Sequence, residues 1–136
     1  FQKMSNNKGV SLGKCLQTHS SNIHKKYRHK KIVNLQNYKF VITMENLSKP
    51  GYCTEKIFNA YLNGSIPIYW GCSDTVSKFF NPETYIDLKN FKNEKECIEY
   101  ILDLAQNEFK MKKMQSSNIF KNGNIHPMLD YRNPKS

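Results

Sequence analysis

The chain has 136 residues and carries 21 Lys and Arg against 11 Asp and Glu, a formal charge of +10. That length suits one domain with its own core, and the mean hydropathy of −0.71 predicts a small core under a very polar surface. No apolar run nears the roughly 20 residues needed to cross a bilayer, and no signal-peptide pattern opens the sequence.

In chain order, residues 1–37 are expected to be an irregular, basic segment rich in Asn, Ser, Lys and His. Within it, Val10-Ser11-Leu12-Gly13 predicts a short strand and turn, and residues 32–37 a short helix. The opening Phe1-Gln2-Lys3, without an initiator Met, is expected of an excised fragment. Residues 38–117 are expected to form the ordered core. Phe40 to Met44 is an apolar run typical of a strand buried on both faces, and Pro50-Gly51 marks a turn. Thr54 is expected to cap a helix that carries Ile57, Phe58, Tyr61 and Leu62 on one face and stops at Asn63-Gly64. Ile66 to Trp70 is the next strand, ended by Gly71. A short helix capped by Ser73 or Asp74 runs to Phe80, where Asn81-Pro82 breaks it.

Tyr85 to Leu88 predicts a third strand. Asn93 then caps a longer helix with Cys97, Ile98, Ile101, Leu102 and Ala105 on one face, and a further helix spans about Glu108 to Gln115. Residues 118–136 are expected to be a C-terminal tail. Strand and helix alternate throughout, which predicts an α/β fold with a parallel sheet and flanking helices.

In open α/β sheets, ligands sit outside the carboxyl ends of the strands. Glu45 and Asn46 end the first strand, and Tyr52, Thr54, Glu55 and Lys56 stand at the entry of the following helix. A lysine there can neutralise a phosphate, with a helix N-terminus in support. Glu55 can accept hydrogen bonds from ribose hydroxyls, and Tyr52 can offer a ring or a hydroxyl. Taken alone, Thr54-Glu55-Lys56 reads more readily as an ordinary helix start and Glu45-Asn46 as a polar strand end; together, across one crevice, they make a nucleotide-phosphate site as ready a reading.

Cys15, Cys53, Cys72 and Cys97 show no CxxC spacing and no partnering HxxxH, so no zinc site is expected; disulfides stay open, and Cys97 is expected in the core. The run His24 to Lys31 is expected to be a solvated connection, with nucleic-acid or anionic-membrane binding as the rival reading. Trp70, Tyr69, Phe79 and Phe80 are expected in the core. Asn46-Leu47-Ser48 and Asn63-Gly64-Ser65 are formal sequons, neither expected to be modified.

Several segments resemble the α-1,3/4-fucosyltransferases of glycosyltransferase family ten. They are Tyr38-Lys39-Phe40, Glu45-Asn46, Gly51-Tyr52-Cys53-Thr54-Glu55-Lys56-Ile57 and Gly64-Ser65-Ile66-Pro67-Ile68-Tyr69-Trp70-Gly71. Met44 stands where that family usually has Phe, and Cys53 where it has Val. Phe80-Asn81-Pro82, Tyr85-Ile86-Asp87 and Phe91 downstream, and Lys8 to Cys15 upstream (with Ser11 for the usual Asp), extend the likeness over roughly residues 1–107.

The resemblance implies the Rossmann-like C-terminal half of a GT-B glycosyltransferase, which binds GDP-fucose. It implies that Asn46 and Tyr52 meet the diphosphate or fucose, Glu55 the ribose and Lys56 the phosphates, with Glu45 and Thr54 as further candidates. The complete enzyme would be an inverting transferase moving L-fucose to a hydroxyl of an N-acetylglucosamine or glucose in a glycan, α-1,3 linkage expected, with no cofactor required. Two parts that the family implies, a phosphate-binding Arg just upstream and a general-base carboxylate in the N-terminal domain, fall outside these residues. No catalytic residue is therefore expected here, and the stretch alone is expected not to transfer fucose.

The rivals are a truncated or degenerate nucleotide-binding paralogue and a basic nucleic-acid-binding module; no nucleic-acid partner is expected. Relatives of this kind sit in the Golgi membrane in eukaryotes, and are cytoplasmic or membrane-peripheral in bacteria. Membrane attachment is expected only through segments outside this stretch.

Overall fold

The computed structural model describes residues 38–125. The expectations for Val10 to Gly13, residues 32–37, Cys15 and the basic run at 24–31 lie outside them. Three parallel strands, β1 (Phe40–Met44), β2 (Ile66–Trp70) and β3 (Ile86–Asp87), form one sheet in that order. The register pairs Phe40 with Ile66 and Met44 with Trp70, then Ile68 with Ile86. Helix α1 (Lys56–Leu62) connects β1 to β2, and α2 (Ser73–Phe79) follows β2. Two longer helices, α3 (Glu94–Gln106) and α4 (Glu108–Ser116), come after β3.

Alternation along β2 divides the core in two. Ile66 and Ile68 join Ile86 against Cys97, Ile101 and Leu104 of α3 and Met111 of α4. Tyr69 points the other way, into a cluster of Ile57 from α1, Val76 from α2, Phe80 and Tyr85. Helices therefore cover both faces of the sheet, the layering that a parallel sheet requires. Phe80 packs edge-on against Phe58 and stacks on Phe120, whose backbone bridges back to Phe80.

Three expectations about burial need correction. Among the described residues β1 is an edge strand, and Ile42 and Met44 are 47% and 37% exposed, so its second face is not covered by them. Leu62 is exposed, while Ala60 takes its place in the core. On α3 the buried stripe is Cys97, Ile98, Ile101 and Leu104 rather than Leu102 and Ala105, because α4 folds back and buries the Leu104 side as well. β3 is shorter than expected; Asp87, its last ladder residue, caps the next turn by accepting from Lys89 N–H at 3.0 Å. Asn93 caps α3 as expected, accepting from Glu96 N–H at 2.9 Å. Gly64, with φ of 73°, supplies the left-handed residue after α1.

Candidate functional site

β1 ends beneath the opening of α1, and side chains from both meet there. Glu45 extends the strand ladder by donating its N–H to Trp70 O at 2.9 Å. Its carboxylate turns inward, where Oε1 accepts from Thr54 N–H at 2.8 Å and Oε2 accepts from Thr54 Oγ1–H at 2.7 Å. Lys56 Nζ donates to Met44 O at 2.8 Å and to Asn46 Oδ1 at 3.1 Å. It lies 3.9 Å from Glu45 Oε2, with the lysine side chain 37% exposed and the Glu45 side chain fully buried.

The expected capping by Thr54 is thus corrected. The helix begins at Lys56 with Glu55 at the N-cap, no side chain caps it, and the Thr54 hydroxyl is engaged by Glu45. Both Thr54 donors, its N–H and its hydroxyl, are given to the Glu45 carboxylate, and the helix starts two residues later, which leaves Thr54 outside the cap position. The partners of a helix opening are read from neighbours in sequence; Glu45 lies nine residues away.

The loop between strand and helix is fastened at intervals. Ser48 Oγ donates to Gly71 O at 3.1 Å, Tyr52 N–H to Lys49 O at 3.0 Å, and Gly51 N–H to Thr75 Oγ1 at 2.9 Å. Gly51 has a φ of 80°, which the turn requires. Of the six expected site residues, Glu45, Asn46, Thr54 and Lys56 form one bonded group. Tyr52 is half-buried on the adjoining turn, and Glu55 is exposed beside Lys56.

Sequence reasoning missed the neighbouring concavity. An open cleft of about 540 Å³ lies across the ends of β2 and β3, lined among others by Ser48, Trp70, Ser73, Asp74, Lys89 and Phe91. None of the six expected residues lines it. Trp70, expected in the core, is 43% exposed in its wall, whereas Tyr69 and Phe80 are buried as expected. The signal was available in Gly71, which ends β2 and so marks the carboxyl end of the sheet. Asp74 and Lys89 pair across exposed surface at 3.3 Å, a contact of little energetic weight.

Behind the site, polar groups crowd into the interior. Burial first, then the nearby Glu45 carboxylate and Cys72, pushes the Cys53 thiol up from the ordinary 9.0 to about 11. Burial likewise pushes the Tyr69 hydroxyl above its usual range, with Cys53 and Glu45 adding to it. Cys72 goes the other way: the Thr75 hydroxyl donates to its sulfur at 3.1 Å and, with backbone N–H groups, holds the thiol below its ordinary value. Cys53, Cys72 and Cys97 are free thiols, and Cys97 is in the core as expected. Among the described residues no cluster of His, Cys, Asp or Glu is arranged to hold a metal ion, and no helix is long and apolar enough to cross a membrane.

Residues 2–116 match the family model described as glycosyltransferase family 10 (fucosyltransferase), C-terminal. The chain is 49% identical over 67 residues to an α-(1,3)-fucosyltransferase of Helicobacter pylori, covering 49% of this chain and 14% of that protein. It is 40% identical over 85 residues to a putative fucosyltransferase of Acanthamoeba polyphaga mimivirus, covering 62% and 14%. A crystal structure of an α1,3-fucosyltransferase with GDP-fucose superposes with a TM-score of 0.60 at 39% identity, over 67% of this chain and 27% of that one. The chain therefore spans about a seventh of the length of these two sequence relatives.

Proposed function

Since the chain belongs to glycosyltransferase family 10 as a fucosyltransferase C-terminal domain, we propose that it binds the sugar nucleotide GDP-fucose at the tip of β1 and the opening of α1. The observation that carries this reading is the Lys56 ammonium, partly exposed and held at the strand tip by Met44 O and Asn46 Oδ1. An ammonium so oriented is a preformed partner for a diphosphate. In this reading Lys56 neutralises phosphate charge and Glu55, exposed next to it, accepts from the ribose hydroxyls. Asn46 and Tyr52 meet the diphosphate or the fucose.

The whole enzyme would transfer L-fucose with inversion to a hydroxyl of an N-acetylglucosamine or glucose in a glycan, in α-1,3 linkage. As the bond to fucose breaks, negative charge grows on the departing GDP. A fixed cation beside it lowers that barrier, since a preorganised charge costs no reorganisation at the moment of reaction. Fixed protein cations can serve this leaving group without a metal. The base that deprotonates the acceptor hydroxyl is proposed to come from a part of the enzyme other than these residues.

Calorimetric titration tests the assignment. GDP should bind the chain saturably, and Lys56→Ala should weaken it by about tenfold or more, the usual worth of a charge-assisted hydrogen bond. Glu55→Ala should weaken GDP but leave 2′,3′-dideoxy-GDP unchanged. Equal affinity of Lys56→Ala and the parent chain for GDP would remove the reading.

A further inference from the structure

Glu45 sits at the centre of the proposed site, yet no ligand can reach it. Its side chain is fully buried. On one side both carboxylate oxygens are taken by Thr54. On the other, the backbone of Gly71 passes so close that a Cβ there would lie 2.8 Å from Glu45 Cγ. What the carboxylate does is fasten the last residue but one before Lys56 to the strand. The lysine ammonium is then gripped by the positions on either side of Glu45, Met44 O and Asn46 Oδ1. Three consecutive residues of the strand end thus fix the opening of α1, with Glu45 as the middle one.

We propose that Glu45 is a positioning residue for the sugar-nucleotide site: it never touches the donor, but through Thr54 it fixes the turn of backbone that presents Lys56 to the phosphates. The inference rests on the donor-site reading above. Removing the carboxylate frees Thr54 and lets the ammonium wander from the place where the diphosphate needs it. Glutamine keeps the arrangement, because its amide oxygen accepts the Thr54 N–H while its NH2 donates to the Thr54 hydroxyl oxygen, which is donor and acceptor alike.

The test is titration of GDP and of guanosine, which has no phosphate, into the full chain and its variants. Glu45→Gln should hold GDP within about threefold of the parent, the scale of one exchanged neutral hydrogen bond. Glu45→Ala should lose about tenfold or more for GDP while guanosine binding is unchanged, and adding it to Lys56→Ala should weaken GDP no further. Should Glu45→Ala fail to fold, Thr54→Val, which deletes only the hydroxyl, gives the same reading with a smaller loss.

A parallel loss for GDP and guanosine would mean general structural damage and overturn the proposal. So would equal losses in the Gln and Ala variants, or additive losses with Lys56→Ala. If Lys56→Ala weakens GDP while Glu45→Ala and Thr54→Val do not, only the positioning role falls. If Lys56→Ala itself has no effect, the donor-site reading falls and this inference with it.

Discussion

A methyl group added at Gly71 would stand 2.6 Å from the Tyr69 hydroxyl and 2.8 Å from Glu45 Cγ. Both neighbours are buried, so neither can yield cheaply. Gly71→Ala is therefore expected to destabilise the fold by about 1–3 kcal/mol, as overpacking does, measured by urea unfolding; an unchanged midpoint would show that the strand end relaxes. The cysteines offer a second residue-scale reading. Cys72 has a lowered thiol pKa and partial exposure, whereas Cys53 is raised and Cys97 is in the core. Thiolates are the reacting species, so iodoacetamide with peptide mapping should label Cys72 ahead of Cys53 and Cys97.

The raised Cys53 also gives stability a pH dependence of definite sign. In the folded chain the neutral thiol is favoured, so this contribution is complete below the ordinary value of 9.0 and is lost as pH rises through about 11. The buried hydroxyls of Tyr61, Tyr69 and Tyr85, also raised mainly by burial, act in the same direction at higher pH. Unfolding free energy should fall across that window, and Cys53→Val should make the fall shallower at its lower end. A Cys53→Val profile parallel to the parent's would contradict the assignment.

Among the elements, those fixed by local chemistry were legible in the sequence. β1 and β2 fall on the expected residues because each is a continuous apolar run, and Asn93 caps α3 because its partner is three residues away. Features that depend on distant partners were not legible. Thr54 looks like a cap, yet its N–H and hydroxyl both go to Glu45 and the helix starts at Lys56. Leu104 looks peripheral until α4 folds over it. Trp70 looks like core until its strand end opens onto the cleft.

The α3 correction is directly testable. Leu104→Ala, at a 2% exposed position, should cost about 2–5 kcal/mol. Leu102→Ala, half-buried, should cost clearly less. Equal costs in a denaturation series would restore the face expected from periodicity alone.

For the molecule as a whole, the +10 charge sets a field that draws anions toward it. A general field does not choose a site; the local geometry does. Two places at the carboxyl ends of the strands compete for a ligand, the Lys56 group at the tip of β1 and the cleft across β2 and β3. The residues at the first were legible because charge, amide and ring fall within a short stretch of sequence. Those lining the cleft were not, because they come from three separate segments. GDP bound at the first place should also raise the stability of the whole fold, by about 2.7 kcal/mol at a concentration a hundredfold above Kd, and Lys56→Ala should abolish most of that gain in a thermal melt.

The choice between the two places is decided by a titration of the 15N-labelled chain with GDP, followed through its backbone amide resonances. Saturable shifts at Asn46 and from Tyr52 to Lys56, with Lys89 to Glu94 unmoved, are the predicted result. Saturable shifts confined to Trp70, Cys72 and Lys89 to Glu94 would contradict the account, and so would a chain that GDP leaves unperturbed.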